Sequence, residues 1–200
     1  MTAEPSPSPL YASLEGHSAS NGSQNVAFLW GLAEATLFFI IPDVYLGFVA
    51  LFHWRKGLWT TVAATAGAMV GGAFMYLLGA ANGPAVDQLL IRIPLIGAEM
   101  VVTVAEQLQS SGLLALITGP LQGIPYKIYA AQAGQQNLGL IPLLLVTIPG
   151  RWVRFFLVAL AGAALGRVFK NAVQRRTTLV ICAYALVWVA VYVGYYIEVH

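Results

Sequence analysis

Charge is what this chain has least of: Asp, Glu, Lys and Arg make up 9% of its 200 residues, against about 25% in soluble domains. That shortage excludes a cytosolic globular protein. Cysteine occurs once, as Cys182 in an apolar segment, so no internal disulfide forms and the redox compartment is left open. The three histidines, His17, His53 and His200, are too scattered for metal-ligand spacing, and no metal or cofactor is expected. No nucleophile has a histidine placed to activate it, which argues against an enzyme. No Walker loop is present, so ATP bound here supplies no energy. The net charge is only +2, and the basic residues group by side, which excludes a nucleic-acid surface. Residues 1–24 hold no Lys or Arg, unlike a secretory leader. Rich in Pro and Ser, residues 1–25 read as a disordered tail.

Apolar residues fill the rest, at 58% with a mean hydropathy of +0.74. Residues 26–170 are expected to form one membrane domain and 171–200 to carry a C-terminal transmembrane helix. Within residues 26–53 the only charges are Glu34 and Asp43, and Pro42 stands just before the aspartate. A carboxylate at membrane depth costs about 2.5–3.5 kcal/mol on insertion scales, so two beside a helix breaker call for more than anchoring. Residues 57–82 are uncharged and long enough to span, with small residues at four-residue spacing: Ala63, Gly67 and Gly71, beside Ala64, Ala68 and Gly72. Close helix packing accounts for that stripe. Asp87, Arg92 and Pro94 exclude a clean span over 84–109. From 97 to 109 an amphipathic pattern sets Glu99, Thr103 and Glu106 opposite Met100, Val101, Val104 and Leu108, as in a helix lying on the bilayer.

Residues 112–134 break at Pro120 and Pro125, and their only charge is Lys127. Each half is too short to span, which favours a re-entrant hairpin. Residues 138–166 make a long helix with a candidate kink at Pro149-Gly150 and a Gly162/Gly166 pair. Residues 179–197 are a last clean span. Arg167, Lys170, Arg175 and Arg176 mark the loop before it as cytoplasmic, with Arg55 and Lys56 on the same side. Parity then makes hairpin plus span, twice, with opposite topology. The expected fold is therefore an all-α integral membrane protein: an inverted repeat of two re-entrant helical hairpins, each followed by a transmembrane helix, plus a C-terminal transmembrane helix. Were 26–54 to span once, the chain start would change sides and the rest would stand.

Glu34 and Asp43, nine residues apart, fall on opposite faces of an unbroken helix, but the break at Pro42 can fold Asp43 back. A carboxylate taken out of water, or set beside another, holds a proton more readily, so the pair reads as proton-coupling. Lys127, Arg151 and Arg154 are three cations at membrane depth and suit a phosphate, which arginine grips through paired hydrogen bonds. The alternative is that these cations only neutralise the two acids, although three against two leaves one over. Tyr126, Tyr129, Gln122 and Gln132 either line a path or satisfy freed backbone groups. Tyr192, Tyr195 and Tyr196 read as an interfacial belt.

Gly119-Pro-Leu-Gln-Gly-Ile-Pro-Tyr-Lys127, Ala133-Gly134, Gly150-Arg-Trp-Val-Arg-Phe-Phe156 and Leu165-Gly166 resemble the DedA family (the VTT, or SNARE-associated, domain), nearest its YqaA-like branch. Glu34 with Pro42-Asp43 is similar to that family's acidic first hairpin, and 67–83 to its glycine-rich span. The resemblance covers about residues 26–170. It implies two facing re-entrant hairpins and flipping of lipid phosphates, notably undecaprenyl phosphate, driven by the proton gradient in the bacterial inner membrane. Typical members carry two arginines in the second hairpin. Here the first falls near Pro120 and the second near Lys127, so Arg151 or Arg154 is the candidate for the missing charge. The expected partners are membrane lipids, an anionic lipid phosphate among them, and protons, with no nucleic acid and with a homo-oligomer left open. A small-solute proton or cation antiporter, or a membrane scaffold or assembly factor, is the alternative.

Overall fold

A computed structural model describes residues 7–119 and 123–199. Among them every regular element is helical. In chain order these are α1 (Pro9–Ala19), α2 (Gly22–Glu34), α3 (Asp43–Phe52), α4 (Trp54–Leu90) and α5 (Ala98–Ser111). A 3₁₀ turn (Gly112–Leu114) leads to α6 (Ala115–Thr118), α7 (Tyr126–Gln135), α8 (Leu140–Val168), α9 (Lys170–Arg175) and α10 (Thr177–Val199). Four helical runs are long and apolar enough to cross a membrane: Trp54–Leu90, Ala98–Thr118, Leu140–Val168 and Thr177–Ile197. Their outward faces carry exposed Trp59, Val70, Leu77, Leu145 and Leu186, as lipid contact requires. The protein is an all-α, multi-pass membrane protein.

Glycine sets the helix crossings. A Cβ on Gly67 of α4 would stand 2.0 Å from the Phe28 carbonyl oxygen of α2, and one on Gly31 would stand 2.1 Å from Ala64 O. The small stripe therefore packs α2 on α4 backbone to backbone. The same device joins α4 to α7, where Gly79 meets Ala131 O and Gly134 meets Tyr76 O. It also joins α3 to α8, where Gly162 meets Gly47 O and Gly166 meets Leu51 O.

The span expected to end at Asn82 leaves helical geometry at that residue (φ −156°, ψ 78°), and its side chain then caps a further segment opened by Pro84. The run α8 continues unbroken through Pro149. The helix α5 has the expected two faces, with Val101, Val104 and Leu108 buried and Glu99, Thr103 and Glu106 exposed. It differs from expectation in being joined through the 3₁₀ turn to α6, which gives the run Ala98–Thr118 the length of a span. Arg55 and Arg167 both stack on the Trp54 ring, at 5.2 and 5.8 Å, so the two basic clusters share one end of the molecule.

The disordered-tail reading of residues 1–25 fails from residue 9 onward. The helix α1 is capped by the Ser8 hydroxyl, with Pro9 at its first position. Tyr11 is buried against Leu51, Phe52 and Val173, and Ser8 bonds Thr177 Oγ1 at 2.7 Å. Composition alone missed this because the segment folds onto surface supplied by distant parts of the chain. Residues 1–6 lie outside the described residues, as do Pro120 and Gln122.

Candidate functional site

Two interruptions of apolar helix meet near the centre of the molecule. In the first, α2 stops at Glu34, the chain turns through Phe38 and Ile40, and Pro42 starts α3 with Asp43 as its first residue. The Trp30 indole donates to Ile40 O at 2.9 Å, which satisfies one carbonyl freed by the break. In the second, α6 stops at Thr118 and Pro125 starts α7. Between them Gly123 has φ +82°, a conformation that favours glycine. Pro42 and Pro125 thus stand at the breaks where sequence put them, and Pro120 falls outside the described residues.

A cavity of about 400 Å³ lies between the breaks. Glu34, Lys127, Arg151 and Arg154 are on its wall, with Phe39 and Ile41 from the first break and Ile124 from the second. The 93–96 turn and the end of α10 complete the enclosure. Arg151 Nη2 donates to Glu34 Oε2, both side chains being 4% exposed. Its guanidinium also lies 5.1 Å from the Tyr126 ring centre and 5.0 Å from that of Phe155. Arg154 Nη2 donates to Asp43 Oδ2 at 2.5 Å, and Asp43 stands just behind the wall. Asp43 Oδ1 and Arg151 Nε are buried and find no hydrogen-bond partner among the described residues. Lys127, 2% exposed, donates to Phe38 O at 2.8 Å across the two breaks. No carboxylate among the described residues lies within ion-pair distance of it.

The helix dipoles sharpen this picture. Asp43 at the start of α3 sits where an anion is favoured. Glu34 at the end of α2, and Lys127 in the first turn of α7, each sit at the terminus that disfavours their charge. Local helix energetics ask for neither residue, so their placement depends on what faces them across the cavity.

Sequence reasoning named all five ionisable residues, and the structure brings them together. It did not foresee the pairing, Glu34 with Arg151 and Asp43 with Arg154, across more than a hundred residues. Of the polar neighbours, Tyr126 bonds Thr147 Oγ1 at 2.7 Å, Tyr129 donates to Gln107 Oε1, and Gln132 donates to Asp87 Oδ1 at 2.8 Å. Tyr129 and Gln132 therefore serve the packing of α7. The belt reading of the last tyrosines is corrected for two of them. Tyr192 Oη accepts from Ile41 N–H at 2.8 Å, Tyr195 Oη donates to Gly123 O at 2.9 Å, and both line the cavity. A tyrosine near the end of a span carries the same signal whether it meets headgroups or a broken helix, so spacing gave no means of telling them apart.

No protein-family model, no curated protein and no solved structure matches this chain.

Proposed function

We propose that the protein is a proton-coupled translocase of a lipid phosphate, of the DedA (VTT) kind, acting in a bacterial inner membrane. The observation that carries this reading is the central cavity, walled by Glu34, Lys127, Arg151 and Arg154 in a chain otherwise poor in charge. Intramembrane ionisable groups mark transport pathways by default. Among the described residues Lys127 is the cavity cation left over after both acids are paired, and it sits beside the positive end of α7. A phosphate entering there meets one cation directly and competes with Glu34 for Arg151. A proton delivered to Glu34 weakens its hold on the guanidinium and releases Arg151 to the phosphate. Asp43 and Arg154 repeat the arrangement one step behind the wall.

The packing supports an inverted repeat of re-entrant hairpins. The second arm of the first break, α3, packs on α8, and the second arm of the second break, α7, packs on α4. Each half thus lends its hairpin to the other's long helix, as two halves related by a two-fold axis in the membrane do.

The test is flipping of undecaprenyl phosphate in proteoliposomes, with and without a pH gradient, for wild type and Asp43→Asn. Gradient-stimulated flipping in wild type that is lost in the folded variant supports the reading. Gradient-driven uptake of small solutes without that lipid transfers the reading to an antiporter. The neutralised state of both acids favours a second reading, a scaffold held by buried ion pairs, and a folded wild type that moves nothing would support it.

A further inference from the structure

The faces that wall the central cavity continue beyond it. On α8, Arg151 and Arg154 are followed at helical spacing by Val158, Ala161, Gly162 and Leu165. On α10, Tyr195 and Tyr192 are followed by Trp188, Tyr184, Ala183 and Val180. Steps of three and four residues keep each series on one side of its helix. Between the two series lies an apolar groove of about 440 Å³. Its floor is the crossing of α3 and α8, where a Cβ on Gly162 would come within 2.4 Å of Gly47 O. A Cβ on Gly47 would stand 2.7 Å from Tyr184 Oη and 3.5 Å from Val158 Cγ1, so its absence leaves room in the groove. The Tyr184 hydroxyl there is already spent, donating to Val44 O at 2.7 Å.

We propose that this groove holds the hydrocarbon tail of an anionic amphiphile whose phosphate occupies the central cavity. The assignment rests on the reading of that cavity as a lipid-phosphate site. From Val158 to Phe169, the two ends of the groove's wall on this side, the chain rises about 16 Å. Spread over that length, the volume of about 440 Å³ gives a cross-section of roughly 27 Å². That is wide enough for one extended alkyl chain. A partner helix seated on the groove does not reach the charged end of the path. A neutral lipid leaves the charged end of the path unfilled. Charge at one end and a single chain at the other describe a single-tailed lipid phosphate.

The experiment is photo-crosslinking of the purified full chain in nanodiscs. One probe is a single-chain alkyl phosphate with a diazirine at its tail end. A second carries the diazirine beside the phosphate, and a neutral alcohol with the tail-end diazirine is the control. The tail-end phosphate is expected to label Val158, Ala161, Leu165, Val180, Tyr184 and Trp188 about tenfold more than the outward-facing Leu145, Leu186 and Val189, the ratio that a preference of about 1.4 kcal/mol gives. The neutral alcohol is expected to lose that preference. Ala161→Trp, at an exposed position on the groove wall, is expected to abolish the tail label while head-end labelling of 123–127 persists. Head-end labelling at the cavity with tail label spread evenly, or unchanged in Ala161→Trp, overturns the groove alone. No head-end labelling at the cavity, with phosphate and alcohol tails labelling alike, overturns the phosphate reading and the groove assignment with it.

Discussion

The Glu34–Arg151 pair makes a sharp energetic prediction. Both side chains are 4% exposed, so neither charge is rescued by water when the other is removed. Glu34→Gln leaves an uncompensated guanidinium and is expected to cost about 3–5 kcal/mol. Arg151→Met leaves an uncompensated carboxylate and also removes the stacking on Tyr126 and Phe155. It is expected to cost about 1 kcal/mol more than Glu34→Gln. The double variant removes both charges, so the penalty for a bare ion disappears. Its loss should be only that of the stacking, about 1–2 kcal/mol. The two changes are then non-additive by at least about 5 kcal/mol. Reversible unfolding in mixed micelles measures all four corners of the cycle. The same double variant, although folded, is expected to be inactive in flipping, which separates the structural from the functional role of the pair. A double variant that loses the sum of the two single losses refutes the reasoning, since the charges would then not be compensating one another.

Gly134→Ala puts a methyl group 2.0 Å from the Tyr76 carbonyl oxygen, far inside contact distance, and should force α4 and α7 apart. A loss of at least about 3 kcal/mol is expected in the same unfolding assay. Gly194→Ala, with nothing within 4 Å, should instead stabilise α10 by up to about 1 kcal/mol. Tyr192→Phe removes the oxygen that accepts from Ile41 N–H. Hydrogen exchange at that amide should quicken about fivefold, for a bond worth about 1 kcal/mol, while amides of α4 stay unchanged.

Much of this molecule is legible in its sequence because lipid removes alternatives. An acid or a cation in an apolar run must be explained, and Glu34, Asp43, Lys127, Arg151 and Arg154 all proved to meet at one place. Pro42 and Pro125 broke helices where the ring forbids a backbone donor. The Gly67 and Gly71 stripe packed α2 on α4 because nothing larger fits. What the sequence withheld was tertiary. The helix α1 is stabilised by burial of Tyr11 against Leu51, Phe52 and Val173, which no local window of a Pro- and Ser-rich segment reports. The partners of Arg151 and Arg154 are set by how α8 lies across the first break, and residue spacing carries no trace of that. Tyr192 and Tyr195 reach the two breaks only because α10 closes over the cavity, so a reading by position along a span assigned them to headgroups.

The charge count around the cavity leads to one more prediction. Among the described residues, two acids, Glu34 and Asp43, face three cations, Lys127, Arg151 and Arg154, which leaves a surplus of one positive charge. Net charge out of water is costly, so the favoured loaded state is the neutral one. A phosphate monoester carries about −1.5 to −2 near neutral pH. Added to the surplus, a dianion leaves the site at about −1, and one proton on Glu34 or Asp43 restores neutrality. A phosphate diester carries a single negative charge and cancels the surplus without a proton. Transport of a single-chain monoester should therefore respond to an imposed pH gradient, whereas a diester with the same tail, if moved at all, should not. Parallel flipping assays in the same proteoliposomes compare the two. Equal gradient dependence for monoester and diester would sink the idea that the surplus of Lys127 sets the proton requirement. Lys127→Gln sharpens the comparison, because without the surplus the diester should become the proton-dependent cargo.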